Sequence, residues 1–114
     1  MHELGIVFHI ISEVEDICKE NNLTKVAAVT VQFGEVSMII PDYLGDCWKW
    51  AAEKSGVLKG AELKTESLPA VTMCDDCGKT YSTVQYGRIC PYCASGSTHL
   101  VSGQEIMIKE IEAC

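Results

Sequence analysis

Four of the seven cysteines fall into two pairs whose spacing can hold a metal ion. The pairs are Cys74-Asp75-Asp76-Cys77 and Cys90-Pro91-Tyr92-Cys93, with twelve residues between them. Two residues between paired cysteines let both thiolates of a tight turn face one ion. Two such turns supply the four sulfurs that zinc prefers in closed structural sites. Gly78, directly after the first pair, gives the backbone freedom to fold around the ion. The spacing therefore predicts a structural zinc site with no open position for a catalytic water.

Other interpretations of the cysteine pairs are weaker. A thiol–disulfide enzyme generally needs one such pair, at a helix start between strands, and this segment lacks that context. Four thiolates can also hold an iron–sulfur cluster, but the two-pair spacing favours zinc. Zinc ribbons often bind nucleic acids, which requires clustered Lys and Arg. Between residues 69 and 103 the only cations are Lys79 and Arg88, and two aspartates offset them.

A second set of potential metal ligands stands at the start of the chain, in Met1-His2-Glu3. The Met1 amine and the His2 amide would close a five-membered chelate ring, and that amide and the imidazole would close a six-membered one. The backbone nitrogen or the carboxylate of Glu3 would fill a fourth position. Such nitrogen-rich planar coordination suits Ni(II) or Cu(II) and weakens in acid. The set requires that Met1 is retained with a free amine.

The remaining cysteines and histidines give weaker signals. Cys18 and Cys47 lie on predicted apolar helix faces and are interpreted as small core residues. Cys114 is expected to be an exposed free thiol, and His9 to be solvated beside an acid one helical turn away. His99 follows the second cysteine pair, but one histidine without a partner is weak evidence for a metal site, so its role stays open.

The composition is that of an acidic globular protein, with a net charge of -7 and a pI near 4.8. This charge argues against a general nucleic-acid binder. No basic secretion signal is evident, and no run approaches the roughly 18 apolar residues of a membrane span. We therefore expect a cytoplasmic protein that binds neither nucleic acid nor a membrane. No nucleophile–base pair and no phosphate-binding glycine loop is present, so no enzymatic activity is expected.

The periodicity of apolar residues predicts the elements that must position these groups. Residues 6–20 show the spacing of an amphipathic helix, which Asn21-Asn22 ends. Val26–Phe33 alternates as a strand does. Pro41 is well placed in the first turn of a second helix, for which Gly56 is a natural stop. Two further strands are predicted, at Ala61–Leu68 and at Glu105–Glu112.

Between residues 69 and 103 the apolar periodicity disappears, and four cysteines, four glycines and three tyrosines crowd together. A segment with so little capacity to bury a core needs a metal staple. The chain is therefore divided into an α+β body, residues 1–68 with 104–114, and an inserted zinc module, residues 69–103. The predicted fold class is α+β, with two helices packed on one face of a small sheet.

Several motifs follow one another in an order and spacing that is specific when taken together. They are the MHE start, the strand ending VQFGEVS, KGAEL before the third strand, the two CxxC pairs, and the closing SGQEIMIKEIE. Over essentially the whole chain, the sequence resembles the nickel metallochaperone family of hydrogenase maturation, the HypA/HybF family. One departure is Ala94, where family members often have glycine; we expect a slightly different turn there and no loss of the metal.

The resemblance implies a nickel-binding α+β domain and a zinc domain. Nickel ligation would fall on Met1, His2 and Glu3. The zinc ligands would be Cys74, Cys77, Cys90 and Cys93. The family delivers Ni(II) to the large subunit of [NiFe]-hydrogenase together with a maturation GTPase, and in some bacteria it also serves urease. A homodimer is compatible with this role. The alternative hypothesis is a zinc-ribbon adaptor or nucleic-acid-binding regulator without a role in nickel handling.

Overall fold

The computed structural model describes residues 3–113, which form three helices and six strands. The helices are α1 (Glu3–Glu20), α2 (Pro41–Ala52) and α3 (Thr83–Tyr86). The strands are β1 (Val26–Gly34), β2 (Glu62–Leu68), β3 (Val71–Cys74), β4 (Thr80–Ser82), β5 (Thr98–Ser102) and β6 (Ile106–Ala113). The predicted α+β class, with small sheets, helices and a four-cysteine module, is confirmed. None of the helices in this range is long and apolar enough to cross a membrane.

Helix α1 begins at Glu3, earlier than the predicted start at residue 6. Its buried stripe is the predicted one, and its buried residues are Ile6, Val7, Ile10, Ile11, Val14 and Cys18. The predicted stop is confirmed, because Asn22 adopts a left-handed φ of 56°. The Leu23 N–H then donates to the Cys18 carbonyl at 2.8 Å. This is the Schellman arrangement, in which asparagine takes the place that glycine usually has.

Helix α2 has Pro41 in its first turn, as predicted, and packs against α1. The indole N–H of the buried Trp48 donates to the Ala61 carbonyl at 2.9 Å, which ties the helix to the segment before β2. The prediction that Gly56 ends the helix is wrong, because α2 ends at Ala52. The buried Ser55 fixes the exit turn by donating from Oγ to Glu15 Oε2 of α1, at 2.9 Å.

The first sheet has the strand order β2-β1-β6. The central strand β1 is buried on both faces: Ala28 and Thr30 are buried as well as Val29 and Val31. Ion pairs span this strand, since Lys64 of β2 lies 3.2 Å from Glu112 of β6 and Lys109 of β6 lies 3.0 Å from Glu66 of β2. Exposed pairs of this kind add little energy.

The chain divides into two compact units. Within the described chain, unit 1 comprises the residues up to Val31, Met38–Glu66, and those from Met107 onward. Unit 2 comprises Gln32–Ser37 and Ser67–Ile106, so a six-residue segment that follows Val31 packs with the cysteine module. Unit 2 contains the second sheet, which has the antiparallel order β4-β3-β5.

Two glycines of unit 2 lie in close backbone contact. A Cβ atom on Gly34 would lie 1.7 Å from the Gly103 carbonyl oxygen, so no side chain fits there. Backbone bonds hold the contact: the Gly34 N–H donates to the Glu105 carbonyl at 2.8 Å, and the Val36 N–H donates to the Gly103 carbonyl at 3.0 Å. The Glu105 carboxylate in turn accepts from the Gly103 N–H at 2.7 Å. That hydrogen bond lowers the pKa of Glu105.

Candidate metal centre

The structure brings the four paired cysteines of unit 2 together. Their sulfur atoms all lie within 4.8 Å of one another. Cys74 Sγ is 3.5 Å from Cys93 Sγ, and Cys77 Sγ is 3.6 Å from Cys90 Sγ. A tetrahedral zinc ion with Zn–S bonds of about 2.3 Å places its sulfurs roughly 3.8 Å apart, which these distances approach. Across residues 3–113, no other three Cys, His, Asp or Glu side chains gather in this way.

The two cysteine turns repeat the same backbone pattern. In the first turn, the Gly78 N–H donates to the Cys74 carbonyl at 2.9 Å; in the second, the Ala94 N–H donates to the Cys90 carbonyl at 2.8 Å. The N–H of each leading cysteine, Cys74 and Cys90, bonds a carbonyl five residues on, at 3.0 and 2.9 Å. Each turn therefore presents its pair of sulfurs in the same way, as expected where two turns share one ion.

Ala94 occupies the position of Gly78 in the second turn. Its φ is 62°, close to the 73° of Gly78, so the alanine adopts the left-handed conformation that favours glycine. The backbone thus keeps the same turn and does not adopt the different one expected from the sequence. Alanine in this region is strained by about 1 kcal/mol, which the surrounding hydrogen bonds must offset.

Backbone N–H groups point at the sulfurs and favour their ionised form. The Cys77 N–H lies 3.5 Å from Cys74 Sγ, and the Tyr92 N–H lies 3.4 Å from Cys90 Sγ. Burial opposes the ionisation of Cys90, but the N–H groups of Tyr92 and Cys93, together with the thiols of Cys77 and Cys93, outweigh it and lower its pKa to about 7. The first thiolate of the set therefore forms near neutral pH and can begin to bind a cation.

Cys93 shows the opposite behaviour. The Ser95 N–H favours its thiolate, yet the adjacent sulfur of Cys74, burial and the other neighbouring sulfurs together raise its pKa to about 12. Four thiols in mutual contact cannot all ionise at neutral pH without a cation, because their charges repel. A divalent ion removes that repulsion, so the donor set fits zinc.

The first cysteine turn is braced by its two aspartates, a feature that sequence reasoning missed. Asp75 Oδ1 lies 2.7 Å from His99 Nδ1, and Asp76 accepts a hydrogen bond from Ser95. His99 lies on β5, opposite Met73, and is not part of the four-sulfur cluster. The CDDC motif contains both aspartates, but the pairing of β3 with β5 is what brings His99 to Asp75, and no local pattern predicts that contact.

Of the predicted nickel ligands, Met1 and His2 lie outside the described residues. Glu3 is half-buried in the first turn of α1, where a carboxylate interacts favourably with the helix dipole. Cys114 also lies outside the described range. His9 is exposed on α1, with Nε2 3.0 Å from Glu13 Oε1, as predicted.

The two remaining cysteines lie in unit 1. Cys18 is buried, as predicted, and burial followed by the charge of Glu15 raises the pKa of its thiol. Cys47 is only half-buried and lines a small apolar cleft with Leu4 and Trp50. Cys47 is therefore not the core residue that the sequence predicted.

Comparison with known proteins connects this arrangement to one family. The family model described as hydrogenase/urease nickel incorporation, metallochaperone, hypA matches residues 1–113. The hydrogenase maturation factor HypA of Geobacter metallireducens is 34% identical over 113 residues, which cover 98% of each chain. The factor of the same name from Streptomyces avermitilis is 33% identical over 113 residues, 97% of this chain and 86% of its own.

The fold is similar to that of solved structures. The solution structure of the nickel metallochaperone HypA from Helicobacter pylori matches with a TM-score of 0.77 at 26% identity. The match covers 99% of this chain and 97% of that one.

Proposed function

This chain belongs to the HypA family, nickel metallochaperones of hydrogenase maturation, and on that premise we propose that it carries Ni(II) at its N-terminal residues and holds a structural zinc ion in its cysteine cluster. Nickel is the cargo and zinc is a resident structural ion. The proposal assigns no catalytic step to the chain. The observation that carries it is the four-sulfur cluster, in a chain that matches the family model from residue 1 to residue 113.

The proposed zinc ligands are Cys74, Cys77, Cys90 and Cys93. The sulfur separations, the repeated turns and the N–H groups directed at the thiolates support this assignment. Four thiolates close the coordination shell, so zinc would stabilise unit 2 and leave no position for a reacting water. In this proposal residues 69–103 have the zinc-binding role, and residues 1–68 with 104–114 have the nickel-binding role.

The proposed nickel ligands are Met1, His2 and Glu3. Support comes from the chelate geometry that the tripeptide allows and from the helix that begins at Glu3. The first N–H groups of a helix have no intrahelical acceptor, so the Glu3 amide could lose its proton to solvent and bind the ion without breaking a hydrogen bond of the helix. Amine, amide and imidazole nitrogens together suit planar Ni(II).

Delivery requires protein partners. We propose the maturation GTPase and the large subunit of [NiFe]-hydrogenase as partners, with urease as a second client. The proposal places this exchange in the cytoplasm, between protein surfaces and without nucleic acid or membrane. Homodimer formation would be compatible with it.

Nickel titration of the untagged protein tests the proposal. His2→Ala is expected to abolish binding of one nickel per chain, with zinc content and circular dichroism unchanged. His9→Ala is the matched control, because it removes an exposed histidine of α1 that is not a proposed ligand. Tight binding of one nickel by His2→Ala, or an equal loss in both variants, would exclude the terminal site. Zinc alone in protein loaded with excess nickel, together with salt-sensitive nucleic-acid binding, would favour the adaptor hypothesis.

The amine ligand is tested separately. An uncleaved N-terminal extension converts the Met1 amine into an amide, and we expect it to weaken nickel binding and change the absorption spectrum. An unchanged affinity and spectrum would exclude the amine while leaving His2 as a ligand.

A further inference from the structure

Unit 2 also contains a cavity of about 560 Å³ that is separate from the four sulfurs. Its walls come from β3, α3, the turn after α3, β5 and the segment after Gly34; the residues that matter for its chemistry are Val36, Thr72, Thr83, Arg88, Thr98 and Leu100. None of the four clustered cysteines lines it. Its volume lies within the range of about 300–1,000 Å³ typical of small-molecule sites.

Arg88, the only arginine of the chain, is exposed and lines this cavity. Over residues 3–113 its guanidinium group makes no hydrogen bond or ion pair. The carboxylates of unit 2 are all engaged elsewhere: Glu35 with the Ala70 N–H, Asp75 with His99, Asp76 with Ser95, and Glu105 with the Gly103 N–H. An anion that pairs with Arg88 must therefore come from outside this unit.

Threonine hydroxyls on the same walls add hydrogen-bond donors. Thr72 Oγ1 lies 2.6 Å from Thr83 Oγ1. The two hydroxyls carry two hydrogens and their mutual bond uses one, so one donor remains for a ligand. Thr72 is buried, with 4% of its surface exposed, and Thr83 is half-buried. Thr98 Oγ1 donates to the Arg88 carbonyl at 2.8 Å and fixes the backbone of the arginine beside the same cavity.

We propose that this cavity is a binding site for a carboxylate carried on a short apolar stem. The planar guanidinium fork matches the two oxygens of a carboxylate, and the hydroxyl pair supplies a further donor. A bare inorganic anion would fill only a small part of the volume. Val36 and Leu100, which are half-buried, provide apolar walls for the rest of the ligand. Such a group occurs in small branched acids and at the carboxyl end of a peptide with an apolar last residue.

Titration of the zinc-loaded full chain, followed by backbone amide NMR, tests the site. The probes are acetyl-Leu-Val with a free carboxylate, the same dipeptide as its amide, isovalerate, and inorganic phosphate. We expect saturable shifts at cavity residues such as Gly87, Gly96 and Thr98 with the free dipeptide and none with its amide. Tighter binding of the dipeptide identifies a peptide end as the source, and equal binding of isovalerate identifies a small acid. Equal binding of the amide, or complete competition by phosphate at equal concentration, would overturn the proposal.

Substitutions distinguish the effect of the planar guanidinium geometry from the effect of positive charge alone. Arg88→Gln is expected to weaken binding of the free dipeptide by roughly tenfold or more, the size of a charge-assisted hydrogen bond. Arg88→Lys keeps the charge but loses the fork, and should weaken binding less. Lys49→Gln, the control, removes the same charge from an exposed position on α2, in unit 1. Zinc content and amide dispersion report folding of every variant. Equal affinity in Arg88→Gln and Lys49→Gln, both folded, would contradict the assignment.

Discussion

The contact between Gly34 and Gly103 makes a strong prediction about stability. In Gly34→Ala, the new Cβ would meet the Gly103 carbonyl oxygen at 1.7 Å and its carbon at 1.8 Å. Both are backbone atoms, so no side chain can move aside. Ordinary contact begins near 3.4 Å, so the two segments must separate by roughly 1.7 Å.

That separation breaks two backbone hydrogen bonds, from Gly34 to Glu105 and from Val36 to Gly103. Each contributes about 1 kcal/mol net. Overpacking strain adds about 1–3 kcal/mol, so we expect a loss of about 4 kcal/mol in the free energy of unfolding. This is a large share of the roughly 5–15 kcal/mol typical of a domain.

Urea denaturation of the zinc-loaded protein measures this loss. Gly45→Ala is the matched control, because Gly45 lies within α2 and a Cβ there meets nothing within 4 Å. Alanine is the better helix former, so this control should gain about 1 kcal/mol. A Gly34→Ala variant within 1 kcal/mol of the parent, or a destabilised Gly45→Ala, would refute the reasoning from backbone proximity.

Three further predictions concern the zinc site and the core. Ala94→Gly removes about 1 kcal/mol of strain from the left-handed backbone conformation, and Ala94→Val increases that strain. A chelator should therefore extract zinc more slowly from the glycine variant and faster from the valine variant. Equal extraction rates would contradict this prediction. Because the pKa of Cys90 is lowered to about 7, its thiolate in the folded protein forms as pH rises through 7 and is lost below it. Zinc binding should therefore release about one proton fewer at pH 8 than at pH 6. Calorimetry in buffers of different ionisation enthalpy counts the released protons, and the same number at both pH values would contradict this prediction. Trp48→Phe removes the donor to the Ala61 carbonyl and should cost about 2 kcal/mol in thermal or urea unfolding, whereas an unchanged stability would show that water replaces the indole N–H.

Periodicity predicted the elements of unit 1 because their stability comes from burial of apolar faces. The stripe of α1, the alternation in β1 and the position of Pro41 each reflect a local rule. The two errors in α1 and α2 lie at helix ends. Glu3 extends α1 before its first buried residue, and the side chain of Ser55 fixes the exit from α2 by bonding Glu15, forty residues away in sequence. A distant partner of this kind leaves no local signal.

The strands of unit 2 were not predicted, for a different physical reason. β3, β4 and β5 have only four, three and five residues. β3 ends at the first cysteine turn, β4 lies between the two turns, and β5 follows the second. In this sheet Thr72 pairs with Tyr81 on one side and with Leu100 on the other. No alternation of apolar residues in the sequence predicts this pairing. The cysteine spacing predicted that these four residues share one site, and the structure does bring their sulfur atoms together. The cavity around Arg88, in contrast, combines segments that are far apart in sequence. Spacing within one segment cannot reveal such a site.

The assignment of Gln32–Ser37 to unit 2 has a consequence for dissecting the protein. The polypeptide passes between the units four times: after Val31, before Met38, after Glu66 and before Met107. A recombinant fragment cut at residues 67 and 106 would lack the donor to the Gly103 carbonyl and the Glu35 carboxylate that accepts from the Ala70 N–H. Neither unit can thus be excised as a continuous stretch, and isolated-fragment studies should use a permuted or linked chain that retains these six residues.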